Sequence, residues 1–150
     1  RLLSGTNGSI IIDDSYNASP VAVEEALVTL KAFPHAKRRI AVLGDMLELG
    51  RYSAAEHERI SALADDSADL IVAVGIRARA FVAQAKRAEI LLFDSAAAAA
   101  ALAEQVQGGD VILVKGSQSV RTERIVKALL ANPEDVSRLV RQEKKWENKL

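Results

Sequence analysis

Two adjacent aspartates close an apolar run at Ile11-Ile12-Asp13-Asp14, and a lysine closes another at Val114-Lys115-Gly116-Ser117. Carboxylates at the end of a buried segment are costly unless they are solvated, paired, or bound to a metal or to sugar hydroxyls. A lysine ahead of glycine and serine could hold an anion at the start of a helix. Two more loops carry polar groups after apolar runs: Gly44-Asp45-Met46-Leu47-Glu48-Leu49-Gly50 and Gly75-Ile76-Arg77. Each has a plainer structural reading. Asp13-Asp14 would serve as a turn and helix cap, and Lys115-Gly116-Ser117 as a loop glycine between a solvated lysine and a helix-starting serine. His35 and His57 are the only histidines. His35, beside Pro34, reads as exposed, and His57 reads as partly buried and hydrogen-bonded, with no spacing for a metal site. No catalytic residue and no metal ligand is assigned within this chain.

Several functions are disfavoured. No glycine-x4-glycine-lysine-serine/threonine phosphate loop occurs, and no glycine-x-glycine-x-x-glycine turn follows the first apolar run. Twenty basic and twenty acidic residues cancel among 150, which gives no electrostatic reason to propose nucleic acid as a partner. Cysteine is absent, so disulfides and thiolate metal sites are excluded, in keeping with a reducing, cytoplasmic setting. No apolar stretch reaches the roughly 20 residues of a membrane span. A start at Arg1 rather than at methionine reads as a fragment of a longer protein.

The elements that must position these loops follow from periodicity. Residues 9–12 read as a buried strand, and Asn7-Gly8 before them as a turn, so Leu2-Leu3 would pair antiparallel to that strand. Pro20 suits the first position of a helix, and Val23, Leu27 and Leu30 recur at helical spacing up to Phe33-Pro34. Strands are expected at 40–43, 70–74, 90–93 and 111–114. Helices are expected at 53–64, opened by Ser53 with Glu56 three residues on, at 77–86, at 96–106 led by Ser95, and at 122–130. Uniformly apolar strands alternating with helices imply an α/β, Rossmann-like three-layer sandwich, mostly parallel with one antiparallel edge strand. One domain of residues 1–131 is expected, with 132–150 a helical extension of it carrying Val136, Leu139, Val140 and Trp146.

At the same loops the chain resembles the C-terminal domain of Mur ligases, within them the group that adds D-alanyl-D-alanine. Ile11-Ile12-Asp13-Asp14-Ser15-Tyr16-Asn17-Ala18-Ser19-Pro20 is similar to the block that opens that domain, with Ser19 where the family usually has asparagine. Ala41-Val42-Leu43-Gly44-Asp45-Met46-Leu47-Glu48-Leu49-Gly50, then Glu56-His57, resembles the second block. Val114-Lys115-Gly116-Ser117, with Glu123 further on, resembles the third, and Gln118 stands where the family commonly shows arginine. Arg1-Leu2-Leu3 is similar to the end of the motif at the domain's start. The resemblance spans roughly residues 1–131.

The resemblance implies a Rossmann-like domain that closes over the site of an ATP-dependent ligase. The substrates would be UDP-N-acetylmuramoyl-tripeptide and D-alanyl-D-alanine. An N-terminal domain and a central ATPase domain of the same protein would be its partners, the latter holding most of the Mg2+ coordination. It further implies nucleotide contacts from Arg1, Asp14, Tyr16 and Asn17, with Asp14 at the ribose. Asp45, Glu48, Lys115 and Ser117 would lie near the dipeptide. Two rivals stay open at this point. A folylpolyglutamate synthase-type domain should lack Asp14-Ser15-Tyr16-Asn17 and the Gly44–Gly50 block. A binding domain without catalysis is favoured by the missing phosphate loop.

Overall fold

A computed structural model describes residues 1–15, 19–45, 54–75, 78, 86, 89–116, 121–132 and 134. Six strands form one sheet: β1 (Leu2–Ser4), β2 (Ile10–Asp14), β3 (Arg38–Gly44), β4 (Leu70–Val74), β5 (Glu89–Phe93) and β6 (Asp110–Lys115). Their order across the sheet is β1-β2-β6-β3-β4-β5. All neighbours are parallel except β1, which lies antiparallel to β2 with Leu2 opposite Ile12. Asn7 and Gly8 both take positive φ, 59° and 83°, in the tight turn between them, a conformation open to these two residue types at little cost. The antiparallel edge strand and its turn are therefore as the sequence implied.

Four α-helices are described: α1 (Pro20–Ala32), α2 (Ala54–Ser67), α3 (Ser95–Gln105) and α4 (Glu123–Leu129). In α1, Ser19 is the N-cap, its hydroxyl accepting from the Ala22 N–H at 3.2 Å, and Pro20 follows where a missing N–H costs nothing. The helix stops at Phe33, ahead of Pro34, as the pattern implied. One cap differs from expectation. The carboxylate of Asp94, not Ser95, caps α3, accepting from the Ala97 N–H at 2.8 Å. Ser53 and the expected helix 77–86 lie outside the described residues apart from Ala78 and Lys86, as does the extension 133–150 apart from Glu134.

The sheet is covered on both faces, as strand residues alternate between two apolar clusters. One holds Ile12, Ala41, Leu43, Ile71 and Leu113 against Val23, Leu27 and Leu30 of α1 and Ile60 and Ala64 of α2. The other holds Ile11, Ile40, Val42, Val72 and Ile112 against Ala98 and Leu102 of α3 and Ile125, Val126 and Leu129 of α4. Leu27, Leu30, Ile60 and Leu102 are fully buried, each contributing about 1.5–3 kcal/mol of transfer free energy. This is the three-layer sandwich the strand pattern implied.

Candidate functional site

The strand order decides where a ligand can enter. The chain leaves β2 and β3 for α1 and α2 on one face, and leaves β6, which lies between them, for α4 on the other. Loops that part in opposite directions open a crevice at the carboxyl ends of the strands. Register brings the ends level: Asp14 pairs with Lys115, and Leu43 with Lys115 on its other side.

The two adjacent aspartates divide their work. Asp13 is buried, and its Oδ1 accepts from the Ser15 N–H at 3.2 Å and from the Ser15 hydroxyl at 2.6 Å. That short loop back onto its own backbone turns the chain out of the sheet. Alternation points Asp14 to the opposite face, where its side chain is 46% exposed and its Oδ2 lies 3.1 Å from the Nζ of Lys115, itself only 2% exposed. Neither aspartate caps α1, since Ser19 does.

Arg1 is drawn in beside them: the Asp13 N–H donates to the Arg1 carbonyl at 2.7 Å. A cleft of about 490 Å³ results, with Arg1, Asp14 and Lys115 on one side and Glu25 and Thr29 of α1 on the other. A cation and a half-exposed carboxylate facing one cleft suit a ligand that carries both negative charge and hydroxyls. Sequence reasoning missed Glu25 and Thr29, which lie at i, i+4 on the exposed side of α1, beside the buried Ala26 and Leu30.

The third loop is tied down differently. Asp45 Oδ1 accepts from the Ala78 N–H at 2.6 Å, and the Asp45 N–H donates to the Val74 carbonyl at 3.1 Å. Behind Lys115, Gly116 packs so closely that a Cβ there would lie 2.7 Å from Thr122 Cγ2 and 3.3 Å from Gly44 Cα. Arg121 follows with φ 53°, and its guanidinium is ion-paired with Glu123, both buried. Of the residues expected at the site, Arg1, Asp14 and Lys115 meet at one cleft and Asp45 stands at the neighbouring strand end. Tyr16, Asn17, Glu48 and Ser117 lie outside the described residues, as do the side chains of Glu56 and His57. Among the described residues no group of three or more potential ligands could hold a metal ion, and no helix is long and apolar enough to cross a membrane.

A parallel sandwich with charged residues gathered at the carboxyl edge is shared by many nucleotide-using folds. Here residues 1–118 match the family of the Mur ligase, glutamate ligase domain, and the chain belongs to that family. It is similar to the UDP-N-acetylmuramoyl-tripeptide–D-alanyl-D-alanine ligase of Bacillus subtilis, 31% identical over 140 residues, covering 89% of this chain and 30% of that protein. The ligase of the same name from Mycobacterium tuberculosis is 35% identical over 150 residues, covering 84% of this chain and 29% of that protein. Among solved structures, the MurF ligase from Thermotoga maritima in complex with ADP superposes with a TM-score of 0.69 at 32% identity, over 85% of this chain and 29% of that one. The chain thus spans about three tenths of the length of these relatives.

Proposed function

We propose that this chain is the C-terminal domain of a cytoplasmic, ATP-dependent ligase that joins D-alanyl-D-alanine to UDP-N-acetylmuramoyl-tripeptide in peptidoglycan synthesis. In that reaction the tripeptide carboxylate takes the terminal phosphoryl group of ATP, releasing ADP, and the dipeptide amine then displaces phosphate from the acyl phosphate. The carrying observation is the convergence of Arg1 and Asp14 on one cleft at the carboxyl edge of a sheet of this family. Arg1 supplies a fixed cation for phosphate oxygens. Asp14, half exposed, supplies an acceptor for ribose hydroxyls. Tyr16 and Asn17 would lie near the adenine or phosphates, and the loops of Asp45 to Glu48 and of Lys115 to Ser117 near the dipeptide. The phosphate loop and the magnesium would come from a central ATPase domain of the same polypeptide, packed together with an N-terminal domain against this edge. Arg1→Ala and Asp14→Ala in the full-length protein test the reading. A lost charge-assisted contact of about 1.5–3 kcal/mol raises the KM for ATP roughly tenfold or more, with the KM for D-alanyl-D-alanine little changed. Unchanged ATP kinetics in both variants would sink it.

A further inference from the structure

Lys115 sits in the loop that the family resemblance assigns to the dipeptide, yet its geometry links it to another ligand. Its side chain is 2% exposed, while that of Asp14, which meets its Nζ at 3.1 Å, is 46% exposed. Docking further domains against this edge can only lower the exposure of Lys115. Both residues line the cleft, but a ligand there meets the half-exposed aspartate, with nearly all of the lysine side chain packed behind it. The pairing comes from the sheet itself: Asp14 and Lys115 are register partners at the last positions of β2 and β6. They also fall on the same face, in line with Ile12 and Leu113 of one cluster.

We infer that Lys115 is a positioning residue for the nucleotide rather than a direct ligand of the dipeptide: it fixes the charge and rotamer of the Asp14 carboxylate that accepts from the ribose hydroxyls. This rests on the reading of Asp14 as a nucleotide contact. An aspartate side chain at a strand end turns freely about χ1 and χ2. An ammonium held in the sheet pins Oδ2 and leaves Oδ1 to the ligand, which lowers the ordering cost when nucleotide binds. A buried ammonium in turn needs such a partner, because its desolvation is otherwise uncompensated.

The test uses the full-length protein, with Lys115→Met, Lys115→Gln, Asp14→Asn and the double variant Asp14→Asn/Lys115→Gln. Steady-state constants are read for ATP and for D-alanyl-D-alanine, and ADP affinity is read by calorimetry. Either lysine variant should weaken ADP binding and raise the KM for ATP by about tenfold, the scale of one lost charge-assisted contact. The KM for the dipeptide should stay within about twofold. The double variant should be no worse than Asp14→Asn alone, because one pair carries the effect. Lys115→Gln keeps a polar head and covers the case in which Lys115→Met fails to fold. A raised dipeptide KM with normal ADP affinity would overturn the inference, and so would strict additivity with Asp14→Asn. If Asp14→Asn weakens ADP binding and neither lysine variant does, only the positioning role fails. If Asp14→Asn itself leaves ADP affinity unchanged, the nucleotide reading of Asp14 fails with it.

Discussion

The carboxylate of Asp45 spans the gap between two strand ends: from the end of β3 it accepts the backbone N–H of Ala78, beyond the end of β4, at 2.6 Å. Gly75 lies beneath this bridge with φ 104°, and a Cβ at that position would fall 2.5 Å from Asp45 Oδ1. Asp45 thus holds together two of the loops that frame the carboxyl edge, whatever it also offers to a ligand.

This bridge gives an ordered set of stabilities. Gly75→Ala combines a left-handed backbone with a clash and should cost about 2 kcal/mol or more. Asp45→Ala, which only removes the acceptor, should cost about 1–2 kcal/mol. Asp45→Asn keeps an acceptor oxygen and should cost less than about 0.5 kcal/mol, as asparagine and aspartate do in similar turns. Urea unfolding of the three variants checks the order. A Gly75→Ala variant as stable as the parent would remove the steric account.

A second prediction concerns pH. Glu24 of α1 and Arg59 of α2 pair at 2.8 Å on the outside of the helical layer. The hydrogen bond from Arg59, with its charge, holds the Glu24 carboxyl below its ordinary value of 4.5, against an upward push from partial burial. A carboxyl lowered in the folded state adds stability that is present above the unfolded value and is lost as pH falls through the folded one. The pair is largely exposed, so the effect on stability is small. Titration of Glu24 by NMR is the direct readout: a midpoint below the ordinary value in the parent, restored in Arg59→Ala. An unshifted midpoint in the parent would show that the pair does not persist in solution.

The elements of the fold were legible because each carried a local signal. Val23, Leu27 and Leu30 mark one face of α1, Pro34 follows its end, and the apolar run 70–74 is β4 residue for residue. Sequence puts the cap of α3 one residue late because Asp94 and Ser95 are both good caps, and periodicity does not resolve a shift of one. The strand order was not legible. Nothing in residues 110–115 says that β6 inserts between β2 and β3, since a buried parallel strand reads the same at any interior position. The contact of Lys115 with Asp14 depends on that insertion alone. Adjacent carboxylates likewise gave no sign of which would turn the chain. That depends on the strand's facing, and β2 runs on through Asp13 and Asp14 rather than ending before them.

The last prediction tests the packing behind the site. Thr122 is fully buried, and its hydroxyl has no hydrogen-bond partner among the described residues. It stands at the N-cap of α4 yet makes no side-chain cap bond. Its Cγ2 and Oγ1 lie under Gly116, where a Cβ would approach them to 2.7 and 2.9 Å. The side chain therefore acts as a wedge that shapes the turn after Lys115, and only its volume is used. An unpaired buried hydroxyl costs about 1–3 kcal/mol, whereas an apolar group of the same shape removes that cost. Thr122→Val keeps the two branches at Cβ and should stabilise this chain by about 1 kcal/mol, raising Tm by roughly 2–4 °C for a domain of this size. Thr122→Ser keeps the hydroxyl but deletes the wedge's methyl and should lower Tm instead. Thermal melts of both variants separate volume from polarity. If Thr122→Val melts lower than the parent while Thr122→Ser does not, the hydroxyl holds a bond in solution and the wedge account is wrong.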